Sequence, residues 1–382
     1  ERSLTKRECG LCKKSLISMY SDESAPVYCV DCWNGSDWDQ FENARDYDFN
    51  QPFFIQLKEL FRINPRFYAY KFGTFVNSEF VNYAKDDKNC YLSYSVIDCE
   101  DILYSTIIDV SKNSIDCFNV MKLDGCSENI NCEGNYNTHY AVMSQTCLDS
   151  YFLYDCVNCS NCFMSSNLRN QQYVFYNEKL NKQEYQERIK NLNLGKYSTL
   201  QKLKSEFNSL IANYSIHKYA FIYASENSSG DYLHHVKNVK KSFDVYESEN
   251  ISYSFRSLYA KDSMDNSGCG YGEMVYESVA ATMNSFRDSF CYLTIQGCRE
   301  FEYSLVLKNC SNCFVCVVLT NAQYFIFNKQ YENYSEEYIK ERFTNDDNDG
   351  KGPYRLQGSG SNLRKQYLSE SKGKAVTDVW DI

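Results

Sequence analysis

The sequence predicts a mainly β protein with flanking helices: an N-terminal zinc ribbon, then two duplicated β-solenoid-like units, each followed by helix. Three observations carry this. Two Cys-x-x-Cys pairs stand near the start. A long segment recurs at an offset of 151 residues. Small residues, often Cys, return every nine positions between short β-favouring stretches.

The ribbon occupies residues 1–36. Cys9-x-x-Cys12 is followed by sixteen residues and then Cys29-x-x-Cys32. Two such pairs supply four thiolates that close tetrahedrally on Zn²⁺, with no open position, so the predicted site is structural. The metal supplies most of the folding free energy of so small a module. Lys6, Arg7, Lys13 and Lys14 flank the knuckles and permit phosphate contact. Residues 37–74 read as an aromatic-acidic linker and an amphipathic helix over about 52–63, with Phe53, Leu57, Leu60 and Phe61 at helical spacing before Asn64-Pro65.

The first repeat spans 75–177 and the second 216–328. Asn158-Cys159-Ser160-Asn161-Cys162-Phe163 returns as Asn309-Cys310-Ser311-Asn312-Cys313-Phe314, and Gln172-Tyr173-Val174-Phe175 as Gln323-Tyr324-Phe325-Ile326. Repeats of this length are duplicated domains. Cys90, Cys99, Ile108, Cys117 and Cys126 keep the nine-residue beat; so do Ser242, Ile251, Ala260 and Cys269. Asn or Asp often precedes the anchor, as in Asn89-Cys90 and Asp116-Cys117, and both tolerate corner backbone. Small anchors pointing inward predict stacked coils of about eighteen residues. Residues 178–215 predict helix with a break at Gly195, and 329–345 a second helical piece. Residues 346–382 form a separate tail.

Most of the 19 cysteines read as buried apolar filler. Whether Cys156/Cys159/Cys162 and Cys310/Cys313/Cys316 bind metal is left open by spacing, although Leu307 replaces one member and Ser165 another between copies, and the fourth Cys of a ferredoxin-type cluster is missing. An odd cysteine count in a large chain predicts a reducing compartment, the cytoplasm, with an oxidised extracellular protein as the alternative. A start at Glu1 is expected of a processed chain or a fragment. Mean hydropathy of −0.55 and no apolar run near 18–20 residues exclude a membrane-spanning helix. A net charge of −10 argues against wholesale coating of nucleic acid. None of the four His (His139, His217, His234, His235) sits in a metal-spaced pair, and no phosphate loop, dinucleotide fingerprint or nucleophile elbow is present. No catalytic residue is predicted.

Two resemblances follow. Residues 1–343 resemble uncharacterised cysteine-rich zinc-ribbon repeat proteins of uncultured bacteria, through Glu1-Arg2-Ser3-Leu4, Val27-Tyr28-Cys29, Asp46-Tyr47-Asp48-Phe49, Lys88-Asn89-Cys90-Tyr91 and the Asn158–Phe163 motif; that family implies no activity. The tail, from Asn345 through Gly352-Pro353-Tyr354 to Tyr367–Ile382, is similar to a segment of DNA amino-methyltransferases that follows target recognition. It implies a DNA-binding fragment in which Arg355, Arg364, Lys365, Lys372 and Lys374 touch phosphates. The Asp/Asn-Pro-Pro-Tyr/Phe loop such enzymes need is absent, since no two of the four prolines are adjacent. The expected function is thus a non-catalytic binding or scaffold protein with protein or nucleic acid as partner, or alternatively the target-recognition part of a methyltransferase.

Overall fold

The computed structural model describes residues 4–331 except 22–24, 49, 282–283 and 295. The separate tail expected at 346–382, with its five basic residues, lies outside the described residues. The protein is mainly β, with four helices among the described residues: α1 (Val30–Asn34), α2 (Phe53–Ile63), α3 (Lys182–Asn191) and α4 (Tyr197–Tyr214). Two compact units divide the chain.

The first unit is built on residues 67–218, with the Thr5–Glu8/Ser15–Ser18 hairpin. From Val81 to Phe175 its strands pair in parallel, and each step along the ladder advances twelve residues: Thr106 lies beside Phe118, Phe118 beside Ile130, Leu148 beside Ser160. In the second unit, residues 219–331, successive strands from Ser242 to Ile326 alternate between two parallel sheets. The step is again twelve, as at Phe243, Phe255 and Ser267. It lengthens to thirteen from Glu273 to Phe286 to Arg299, and from Val279 to Tyr292 to Leu305. The structural repeat is therefore twelve residues, not the eighteen expected.

The cause is a finer period of three. Along both units nearly every third residue has left-handed backbone: Asp86, Asn89, Leu92, Ser95, Asp98, Asp101, Tyr104 and onward, all with φ between 46° and 57° in that stretch. Each such corner is followed by an inward residue, giving Asp87, Cys90, Ser93, Val96, Cys99, Ile102, Ser105, Ile108 and Ser111, all buried. Four triplets make one twelve-residue step, so the nine-residue cysteine beat is three triplets. Asn and Asp are at home in this conformation, whereas other L-residues carry a cost of roughly 1–2 kcal/mol each. The corner amides also stack: Asn238 donates to Asn250 (3.0 Å) and Asn250 to Asp262 (2.7 Å), a ladder of the Asn type.

Inward N–H groups need acceptors, because the interior holds them away from water. Ser supplies them. Ser105 N–H donates to Ser93 Oγ (3.1 Å) and Cys117 N–H to Ser105 Oγ (3.1 Å), while Ser105 Oγ donates to Leu103 O (2.9 Å). Cys99 does the same with longer bonds, accepting from Ser111 N–H (3.5 Å) and donating to Ile97 O (3.2 Å). Ser and Cys therefore alternate with Val, Ile and Leu in one inner column.

Outward aromatic rings near the end of the first ladder are covered by helix: Phe152, Phe163 and Met164 pack on Leu203 and Phe207 of α4 and Tyr185 of α3. In the second unit Phe53 of α2 sets its ring against Tyr303 and Phe314, at 5.1 and 6.0 Å. The first unit's ladder and one of the two sheets of the second finish alike, with a two-residue antiparallel strand, Glu178–Lys179 on Val174–Phe175 and Lys329–Gln330 on Phe325–Ile326. Lys329–Gln330 is thus strand where the sequence reading began a helix, and 332–345 lie outside the described residues. Among the described residues no helix is long and apolar enough to cross a membrane.

Candidate metal centre

Cys9 closes the first strand of the N-terminal hairpin and is fully buried. Its N–H donates to Lys14 O (2.9 Å), and Lys13 N–H returns to Cys9 O (3.0 Å). Lys13 takes the left-handed corner of this knuckle, φ 63°. Gly10 answers a different need: a Cβ there would lie 3.2 Å from Pro26 Cβ and 3.3 Å from Tyr28 Cε1. The second pair is set by helix. Cys29 stands at the N-cap of α1 with extended backbone, its carbonyl accepting from Trp33 N–H (2.8 Å), and Cys32 lies one turn in.

These elements bring the four sulfurs of Cys9, Cys12, Cys29 and Cys32 within 4.8 Å of one another. Cys12 Sγ and Cys29 Sγ are 3.7 Å apart. Tetrahedral S₄ coordination at metal–sulfur bonds of about 2.3 Å separates sulfurs by about 3.8 Å, so the spacing suits an ion held by four thiolates. Cys9 and Cys29 are buried, Cys32 is half-buried and Cys12 exposed. Four protein ligands leave no position for substrate, so such a centre holds the fold rather than performing chemistry. Lys6, Lys13 and Lys14 are exposed around it, while Arg7 reaches the Tyr20 carbonyl (3.3 Å).

Among the described residues this is the one group of three or more His, Cys, Asp or Glu side chains close enough to share an ion. Cys156, Cys159 and Cys162 are instead successive inward residues, as are Cys310, Cys313 and Cys316, all buried. Their Sγ atoms donate to the carbonyls two residues back, Cys162 to Ser160 (3.4 Å) and Cys310 to Lys308 (3.2 Å). Interaction with Cys147, Cys156 and Cys162 lowers the pKa of Cys159, while interaction with Cys159 together with burial raises theirs. Elsewhere burial pushes the thiols up, Cys90 and Cys126 to about 11 and Cys99, Cys117, Cys132 and Cys269 to about 12.

The histidines are members of ring stacks. His234 lies flat on Tyr246 at 4.7 Å and His139 on Tyr151 at 5.0 Å, with His139 Nδ1 2.8 Å from Ser127 Oγ. His217 Nε2 meets the Ile211 carbonyl (2.7 Å), which leaves Nδ1 to accept from Tyr154 OH (3.0 Å).

Sequence reasoning did not find the buried acids. Asp288 sits fully buried at an inward position of the thirteen-residue stretch. Its carboxyl accepts from Ser278 Oγ (2.8 Å) and Thr294 Oγ1 (3.1 Å), and burial raises its pKa to about 6. Asp87 takes the place of an inward Ser, accepting from Cys99 N–H through Oδ1 (3.1 Å), with no partner for Oδ2 among the described residues; burial lifts it to about 7. Only the triplet period marks these positions in the sequence.

Compared with known proteins, the chain matches no family model and no curated protein.

Proposed function

We propose that the chain is a non-catalytic binding or scaffold protein whose body is a pair of β-solenoids with twelve residues per coil and whose N-terminus is a zinc ribbon. The single observation that carries the reading is the four-sulfur cluster at tetrahedral spacing. Four thiolates in a closed set favour zinc over harder ions. The parallel twelve-residue ladders with one inner column support the solenoid. Nineteen free cysteines support work in a reducing compartment, the cytoplasm. Exposed Tyr253, Tyr259 and Tyr271 offer contact area with polar tips, suited to a partner protein. A relationship to the zinc-ribbon repeat proteins of uncultured bacteria belongs to the same reading.

The test uses the full chain. Elemental analysis is expected to give one zinc per chain, and a duplex-DNA titration no measurable affinity at about 50 mM salt. Binding that weakens steeply by about 200 mM would replace this reading with the methyltransferase target-recognition fragment.

A further inference from the structure

A groove of about 300 Å³ runs along the first unit beneath α3. One wall is a row of corner residues, Asn137, Asp149 and Asn161, each twelve residues from the next and each left-handed (φ 45°, 49° and 51°). Neighbouring strands of a ladder are about 4.8 Å apart, close to the length of one pyranose ring. The other wall is Tyr185 and Lys190 of α3, with Tyr151 between. Asn137 Nδ2 donates to Asp149 Oδ1 (2.7 Å), which fixes the carboxylate, and its second oxygen makes no hydrogen bond among the described residues. The Tyr185 side chain is 4 % exposed. Its ring packs on Tyr173 (5.9 Å), the residue lines the groove, and its hydroxyl makes no hydrogen bond among the described residues.

The walls are held in place before any ligand arrives. A capping box fixes the start of α3: Asn181 Oδ1 accepts from Glu184 N–H (3.0 Å) and the Glu184 carboxylate from Asn181 N–H (3.4 Å). Arg188 is tied to Glu178 (3.0 Å). Preorganised walls lower the ordering cost of binding.

We propose that this groove binds a neutral saccharide of one or two pyranose rings. Asp149 and Lys190 cancel in charge, so neither an anion nor a cation is favoured. An apolar ligand would strand the Tyr185 hydroxyl and the Asn161 amide without partners. Sugar hydroxyls donate and accept, and so match a carboxylate acceptor, an amide and two phenols on a rigid frame. The volume stands at the lower end of ligand clefts, the size of a mono- or disaccharide. The inference goes beyond the scaffold reading and is independent of the metal centre, so either can fail alone.

The experiment is calorimetric and saturation-transfer NMR titration of the zinc-loaded full chain with cellobiose, maltose and N,N′-diacetylchitobiose. At least one is expected to bind with Kd of about 1 mM or tighter. Tyr185→Phe, which keeps the packed ring, is expected to weaken it about tenfold, the equivalent of one hydrogen bond. Asp149→Asn, which suits the left-handed corner, is expected to weaken it several-fold. Circular dichroism of both variants reports retained fold. Absence of binding by all three sugars at about 10 mM, well above any Kd worth the name of a site, overturns the proposal. So does binding that both folded variants leave unchanged.

Discussion

Asp288→Asn isolates the energetic consequence of an acid in the inner column. The carboxyl is fully buried, accepts from the Ser278 and Thr294 hydroxyls, and its pKa rises from 3.8 to about 6. A raised acid binds its proton in the folded state while the unfolded chain has already released it. Stability is therefore fully present below about pH 4, falls through the window from 4 to 6, and is lower and flat above 6. The difference of about 2 pKa units corresponds to about 3 kcal/mol. Asn keeps the shape and does not titrate. Ser278 Oγ can still receive it, since that oxygen lies 3.1 Å from Tyr276 O and can turn its own proton there. Asp87 and Glu302, also raised by burial to about 7, tilt wild type and variant alike and cancel in the comparison. The assay is urea unfolding of both proteins at pH 4, 5, 6 and 7.5, with m-values checked for equality. The variant's stability relative to wild type is expected to improve by about 2.4 kcal/mol from pH 4 to pH 7.5, the remainder being lost below pH 4. A difference constant within about 0.5 kcal/mol across that range refutes the argument that burial holds the proton on Asp288.

Three other outcomes follow from the structure. Cys32→Ser is expected to drop bound zinc from one per chain to near zero by elemental analysis and to expose the Thr5–Glu8/Ser15–Ser18 hairpin to hydrogen exchange, because such metal sites contribute on the order of 10 kcal/mol to their modules; full zinc retention would remove Cys32 from the site. Ser105→Ala leaves the Cys117 N–H without its acceptor and is expected to cost about 1–3 kcal/mol in urea unfolding, whereas Cys117→Ser, which keeps a donor and acceptor in the column, is expected to cost less. Val110, 54 % exposed with φ 48°, is a β-branched residue in a left-handed corner, so Val110→Asn is expected to stabilise by about 1 kcal/mol, read as a higher urea midpoint; a lower midpoint would show that the corner carries no strain.

The mainly β class and the four-cysteine cluster were both legible, the first from short β-favouring stretches and the second from ligand spacing. The twelve-residue step was not. A helix repeats its face near 3.6 residues and a strand at 2, and neither template detects a period of three. Asn89-Cys90, Asp98-Cys99, Asp116-Cys117 and Asn131-Cys132 are all corner–inward pairs, so the signal was visible wherever the corner residue was polar. Tyr104, Ile107, Val110 and Phe152 occupy the same kind of corner, and apolar residues there look like strand interior. The nine-residue beat was a harmonic of the triplet, selected because cysteines happen to mark it. The saccharide groove could not be read from sequence, since it exists only where α3 lies over one corner row. The buried acids were hidden for a related reason: Asp87 and Asp288 substitute for Ser in a column whose polar role is to accept an N–H, and an acid in a sequence reads as surface.

The reversed strand that finishes the first unit's ladder, and one of the two sheets of the second unit, acts as a terminator. A parallel stack with one inner column is open-ended: its last rung presents the same pattern of donors and acceptors that every earlier rung offered to its successor, and another chain in the same orientation could in principle carry on from it. Glu178–Lys179 and Lys329–Gln330 run the opposite way, so an incoming rung meets a frame of the wrong polarity, studded with charge. Such edges are what separates a finite repeat protein from a fibre. The number of rungs is then set by where the chain turns back on itself, and whole rungs can be gained or lost upstream of that point without altering how growth stops.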